Sequence, residues 1–158
     1  MGYFNQYVRA ESLEEAYGLY QKKNNFVLGG MLWLKMRKRP FGTAIDLSDL
    51  GLDQIEEDEK EFRIGAYVSL RELETNEALN TYTKGAFAES VKHIVGVQFR
   101  NVATVGGSLW GRYGFSDVMT IFRAMGAKVQ LHHAGILDLD EFCLLYTSPS
   151  PRDTERSR

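Results

Sequence analysis

The sequence predicts an α+β protein. Strand-like apolar runs mix with helix-period segments without strict alternation, no repeat of fixed period occurs, and no linker divides the chain. A length of 158 residues suits one domain, or two small subdomains sharing a core.

The elements follow in order. Ser12-Leu13-Glu14-Glu15 is a capping-box signature, and Leu13, Ala16, Tyr17 and Tyr20 repeat at helical spacing, which predicts a helix over 12–22. Phe26-Val27-Leu28 reads as a short buried strand entering Gly29-Gly30. A helix over 31–37, a break at Pro40 and a strand over 43–46 complete a small β-α-β-like opening unit. Beyond Gly51, Ile55, Phe62, Ile64 and Tyr67 sit in short strand-like pieces around the acidic turn Glu56-Glu57-Asp58-Glu59. Ser69 and Glu72 cap another short helix. Phe87, Ser90, Val91 and Ile94 mark one helix face; Val118, Ile121, Phe122 and Met125 mark another, stopped by Gly126. Segments 127–131 and 136–139 form a closing hairpin through Gly135.

Composition removes several functional classes. The chain is 44% hydrophobic, 12% aromatic and 25% charged, which is globular. Nineteen Lys and Arg against 21 Asp and Glu leave a net charge of −2, so no basic footprint points to nucleic acid or an anionic membrane. No apolar run approaches the ~20 residues that span a bilayer, and residues 1–11 lack a signal-peptide core. The lone Cys143 excludes an internal disulfide, a cysteine-ligated iron–sulfur cluster and a cysteine-rich zinc site. A soluble, cytoplasmic protein is expected. The tail from Tyr146, with Pro149 and Pro151, has nothing to bury, and the string from Leu144 to Asp153 is similar to translated sequencing-adapter read-through. Residues 144–158 are therefore expected to be a non-native tail, and the chain a front portion cut short at its C-terminus.

Two segments share one form, an apolar run followed by paired glycines: Val27-Leu28-Gly29-Gly30-Met31-Leu32-Trp33 and Ala103-Thr104-Val105-Gly106-Gly107-Ser108. Glycine permits positive φ and close approach of a ligand, and successive N–H groups in such turns suit phosphate oxygens. Two such nests can hold the two phosphates of a dinucleotide. A Rossmann fingerprint is absent, because Gly106-Gly107-Ser108 does not place glycines at i, i+2 and i+5. A Walker A loop is absent too, since Arg112 and Tyr113 stand where Lys and Ser/Thr are needed.

The ordered set Ser-Leu-Glu-Glu-Ala (12–16), Leu-Gly-Gly-Met-Leu (28–32), Ile-Asp-Leu-Ser (45–48), Phe-Arg-Ile-Gly-Ala (62–66) and Gln98-Phe-Arg-Asn-Val-Ala-Thr-Val-Gly-Gly-Ser108 resembles the FAD-binding subunit of molybdenum hydroxylases. That group includes xanthine dehydrogenase and carbon monoxide dehydrogenase. The resemblance implies the two-subdomain α+β fold of the p-cresol methylhydroxylase type, with FAD between an N-terminal part (1–50) and an incomplete second part (51–143). It implies that Val27, Leu28, Gly29, Gly30, Met31, Leu32 and Trp33 wrap one side of the FAD pyrophosphate. Thr104, Val105, Gly106, Gly107 and Ser108 would wrap the other. Asp117 would contact the sugar-phosphate region, and Ile94 would stand near the flavin. Met31 and Leu32 depart from the hydroxyl-bearing pair usual in the first motif, and Ser108 replaces an Asn. The implied role is electron transfer, from iron–sulfur clusters through FAD to NAD or another acceptor. The implied partners are a molybdopterin-binding large subunit and a 2Fe-2S small subunit.

Two other readings compete. One is a UDP-N-acetylenolpyruvoylglucosamine reductase-like flavoenzyme, disfavoured because Arg100-Asn101-Val102-Ala103 stands where Ile-Pro-Gly is expected. The other is an inactive or weakly FAD-binding fragment. No general base or nucleophile stands out. His93, His132 and His133 read as surface or capping groups, the last two facing opposite sides if on a strand. Lys35, Arg37, Lys38 and Arg39 read as a helix C-terminus or a docking patch. Arg100 and Asn101 either orient the second glycine loop or cap a turn. Trp33 and Trp110 either pack in a core or interface, or stack on flavin.

Overall fold

The computed structural model describes residues 4–145. Mixed strands and helices bear out the α+β class. The chain forms two compact units that divide after Ile121.

The first unit opens with a parallel three-stranded sheet of β1 (Phe4–Arg9), β2 (Phe26–Val27) and β3 (Phe41–Asp46), in the order β1-β3-β2. The central strand is the apolar one, with Phe41, Ala44 and Ile45 buried. Helix α1 (Leu13–Tyr20) buries Ala16 against Ala10 and Ile45, with Leu19, Val27 and Leu47 around them. Its cap is nearly the predicted one. The Ser12 hydroxyl accepts from the Glu15 amide at 3.1 Å, but the Glu15 carboxylate accepts from the amide of Glu11 at 2.8 Å rather than from Ser12. Asn25 is buried because it has two backbone partners: it donates to the Leu19 carbonyl at 2.8 Å and accepts from the Thr43 amide at 2.9 Å.

The helix expected over 31–37 does not form; a single 3₁₀ turn at Leu34–Met36 stands there. Met31 takes a left-handed conformation at φ 57°, which stops helix propagation. Tertiary contact at Gly30, described below, outweighs local propensity. Arg37 caps the 3₁₀ turn, its amide donating to the Leu34 carbonyl at 3.1 Å, with no α-helix C-terminus there. Its guanidinium lies 4.5 Å from the centre of the Phe26 ring instead.

Strands β4 (Ile55–Glu57) and β5 (Phe62–Ile64) form an antiparallel hairpin. Its tip is closed by Asp58, which accepts from the amides of Lys60 at 2.8 Å and Glu61 at 2.9 Å. Helices α2 (Leu70–Thr75), α3 (Glu77–Tyr82), α4 (Ala86–Val91), α5 (Val97–Val102) and α6 (Val105–Gly111) follow. Val68, Leu70, Leu73, Leu79, Phe87 and Val91 are buried there. Ile94 falls past the end of α4, in a turn rather than on its face.

Helix α7 (Asp117–Ala124) ends as predicted, with Gly126 at φ 64°. The second unit adds the hairpin of β6 (Lys128–Leu131) and β7 (Gly135–Asp138), then α8 (Leu139–Leu145). Phe122, Leu139 and Phe142 are buried, and Arg123 pairs with Asp140 at 2.5 Å. Most of the expected non-native tail lies outside the described residues. No described helix is long and apolar enough to cross a membrane.

Candidate functional site

The fold brings the two glycine segments side by side. A Cβ built on Gly30 would stand 1.9 Å from the Val102 carbonyl oxygen, and one on Gly29 would stand 3.0 Å from the Thr104 hydroxyl. Paired glycines suggest positive φ and ligand approach. None of Gly29, Gly30, Gly106 and Gly107 has a positive φ, and what crowds them is the protein itself: backbone at Gly30 and Gly106, the Thr104 hydroxyl at Gly29 and Gly107. Gly106 shows the same thing, with a built Cβ 2.8 Å from the Ala66 carbonyl oxygen.

The loops differ in what they leave open. In the second, Thr104 caps α6 and its hydroxyl accepts from the Gly107 amide at 3.1 Å. The Val105 and Gly106 amides donate to the carbonyls of Val68 at 2.9 Å and Ala66 at 2.8 Å, and the Ser108 amide donates to the Thr104 carbonyl at 3.0 Å. Ser108 also spends its hydroxyl on that carbonyl, at 2.9 Å. In the first loop, the Leu28 amide ends the ladder on the Ile45 carbonyl at 2.8 Å. After it, the amides of Gly29, Gly30, Met31, Leu32 and Trp33 donate to nothing among the described residues. A run of five open donors containing a left-handed residue is the geometry that receives phosphate oxygens. The donor set therefore fits a pyrophosphate on the first loop.

Aromatic side chains border the pair. Trp33 lies 5.0 Å from Tyr113, and Trp110 lies 6.3 Å from Tyr20, ring centre to ring centre. Both tryptophans are about half exposed, at 53% and 52%, so neither is core. Arg112 stands 4.8 Å over the Trp110 ring. Asp117 is exposed in the first turn of α7, and Ile94 is half-buried with its carbonyl accepting from Arg100 at 3.1 Å.

Of two structural supports, the sequence marks Arg100 without its partner and does not mark Tyr67. Arg100 is only 5% exposed and its guanidinium spans both carboxylate oxygens of Glu74, at 2.8 and 3.3 Å. The Arg100 hydrogen bond holds the Glu74 carboxyl below its ordinary range; desolvation opposes this, and Arg71, 2.8 Å away, reinforces it. Arg100 thus ties α5 to α2 and to the turn at Ile94, while Asn101 is exposed. The second support is Tyr67, whose hydroxyl donates to the Leu28 carbonyl and accepts from the Leu47 amide at 3.2 Å. Nothing in the spacing around Tyr67 marks it; only its place after Gly65-Ala66 could have. His132 and His133 lie in the turn after β6, with rings 4.6 Å apart, so strand alternation does not separate them.

The fold and these loops define an α+β protein with an open backbone-amide loop of the kind that receives phosphate oxygens. Residues 3–154 match the family described as the FAD binding domain in molybdopterin dehydrogenase, and the chain belongs to that family, whose cofactor is FAD. The uncharacterized protein YgfM of Escherichia coli (strain K12) is 27% identical over 144 residues, covering 87% of this chain and 53% of that protein. Carbon monoxide dehydrogenase from Oligotropha carboxidovorans superposes with a TM-score of 0.76 at 25% identity, covering 86% of this chain and 50% of that one. Quinoline 2-oxidoreductase from Pseudomonas putida 86 gives 0.74 at 19% identity, covering 89% and 51%, a likeness of fold. The chain spans about half the length of the curated relatives it matches.

Proposed function

We propose that this chain holds FAD as part of an electron-transfer flavoprotein serving a molybdopterin-dependent hydroxylase or dehydrogenase. The observation that carries the reading is the run of open amides from Gly29 to Trp33, set against the Thr104–Ser108 turn within one unit. The first loop binds the pyrophosphate through backbone N–H groups, so Met31 and Leu32 cost it little. The second loop packs behind it, with the Thr104 hydroxyl at the junction. Bound FAD would supply one- and two-electron chemistry, and the protein positions it and sets its potential. No residue of this chain needs to act as a base. Held there, FAD would pass electrons from the iron–sulfur clusters of a 2Fe-2S partner, fed by a molybdopterin-binding subunit, to NAD or another acceptor.

The test is the visible spectrum of the purified chain, with mass identification of what heat releases. Flavin bands between about 350 and 500 nm and released FAD are expected. A Gly29→Asp variant, which sets a carboxylate among the open amides, should lose the bands while staying folded. A folded chain that stays colourless after soaking in FAD would contradict the reading.

A further inference from the structure

We propose that Tyr67 is the positioning residue of the first glycine loop, its hydroxyl fixing the Leu28 carbonyl so that the amides of Gly29 to Trp33 face the pyrophosphate. The inference rests on the FAD reading above and adds to it a residue outside both glycine motifs.

The position of the hydroxyl in the sheet carries the proposal. Strands β2 and β3 run parallel, with Phe26 opposite Ala44 and Val27 opposite Ile45. The Leu28 amide donates to the Ile45 carbonyl at 2.8 Å. In a parallel ladder the next rung would run from the Leu47 amide to the Leu28 carbonyl. That rung is missing, and the Tyr67 hydroxyl occupies its place: it accepts from the Leu47 amide at 3.2 Å and donates to the Leu28 carbonyl. An oxygen inserted between two strands satisfies both backbone groups while spreading them. The loop can then leave the sheet at Leu28 without orphaning a donor or an acceptor. Gly29 is the next residue, and the open amides begin there.

The segment carrying Tyr67 also holds the second loop. The carbonyls of Ala66 and Val68 accept from the amides of Gly106 at 2.8 Å and Val105 at 2.9 Å. Ser69 and Thr104 pair beside them as an antiparallel bridge. One three-residue segment thus registers both loops, the second through its backbone and the first through a single side chain. Burial pushes the Tyr67 hydroxyl above its ordinary range, outweighing the hydrogen bond from Leu47, so it remains a donor at neutral pH.

The experiment compares the full chain with Tyr67→Phe and, as a control, Tyr7→Phe, which removes another tyrosine hydroxyl that donates within the same sheet, to Asp46. FAD, ADP and riboflavin are titrated into each protein, and amide exchange is followed without ligand. Tyr67→Phe should bind FAD and ADP roughly five- to tenfold more weakly, the scale of one lost hydrogen bond, with riboflavin within about twofold of wild type. The Leu28 and Leu47 amides should exchange faster in that variant. Tyr7→Phe should bind all three ligands within about twofold of wild type. The proposal is overturned if Tyr67→Phe binds FAD like wild type, or if it loses riboflavin in equal measure, which would mark a general loss of structure. A wild-type chain that binds neither FAD nor ADP would instead overturn the reading of the site, and this role with it.

Discussion

Gly30 and Val102 touch backbone to backbone: a Cβ on Gly30 would lie 1.9 Å from the Val102 carbonyl oxygen and 2.7 Å from its carbon. This contact joins the first loop to the end of α5, two residues before the cap of α6. Neither partner is a flexible side chain, so neither can swing aside. Gly30→Ala should therefore cost ~3 kcal/mol of stability and abolish flavin retention, as overpacking against fixed backbone does. Gly29→Ala meets only the Thr104 hydroxyl, at 3.0 Å, and should cost less than ~1 kcal/mol. Urea unfolding of the pair checks this; equal costs would mean the loops are not in contact at Gly30.

Met31 bears the positive φ that paired glycines ordinarily supply. An L-residue there loses ~1–2 kcal/mol to the clash of its Cβ with the carbonyl oxygen, while glycine loses ~0.5–1 kcal/mol more chain entropy on folding. Met31→Gly should thus be neutral or stabilising by up to ~1 kcal/mol and keep the open amides. Met31→Val, branched at Cβ, should destabilise by ~1–2 kcal/mol. Denaturant midpoints of the three proteins would show the order Gly, Met, Val, and a Val variant as stable as wild type would rule out the left-handed conformation.

The sequence made the two loops legible as glycine pairs and the caps legible as Ser12 and Ser69, because these signals are local. It hid β1, whose residues Phe4 to Arg9 are nearly all exposed; with neither face of the strand buried, it shows no apolar alternation. It suggested a helix at 31–37 because nothing local announces that Gly30 is pinned by a residue 72 positions away. The donor inventory was equally hidden. The Gly107 amide is taken locally by Thr104, but that the Val105 and Gly106 amides are occupied depends on where Val68 and Ala66 fall, which is a tertiary fact.

Arg100 and Glu74 make the acid sensitivity of the first unit predictable. The folded pKa of Glu74 is lowered, chiefly by the Arg100 hydrogen bond, so its contribution is present above the ordinary unfolded value of ~4.3 and is lost as pH falls through the lowered folded value. Glu74→Gln should flatten the stability profile below about pH 4 and leave the buried guanidinium short of a counter-charge, at ~3 kcal/mol near neutrality. Asp46, which burial raises but hydrogen bonds from Ser48 and Tyr7 lower further, keeps part of the acid limb in that variant. Stability measured from pH 2.5 to 7 in both proteins is the check. An unchanged acid limb in Glu74→Gln would place the titrating group elsewhere.

Trp33 and Trp110 are the two tryptophans, and both lie at the margin of the site. They are not equivalent. Trp33 ends the run of open amides and packs on Tyr113, whereas Trp110 closes α6 among Tyr20 and Arg112. A flavin dinucleotide whose pyrophosphate rests on the first loop lies nearer Trp33, and quenching by a flavin falls steeply with distance. FAD should therefore quench the emission of wild type and of Trp110→Phe strongly, and that of Trp33→Phe weakly. Because the Trp33 side chain meets its neighbours among the described residues by ring contact, Trp33→Phe should keep FAD affinity within about threefold, the scale of a partly lost aromatic pair. Strong quenching that survives in Trp33→Phe and vanishes in Trp110→Phe would move the flavin to the α6 side and make the occupied second loop, rather than the open first one, the seat of the cofactor.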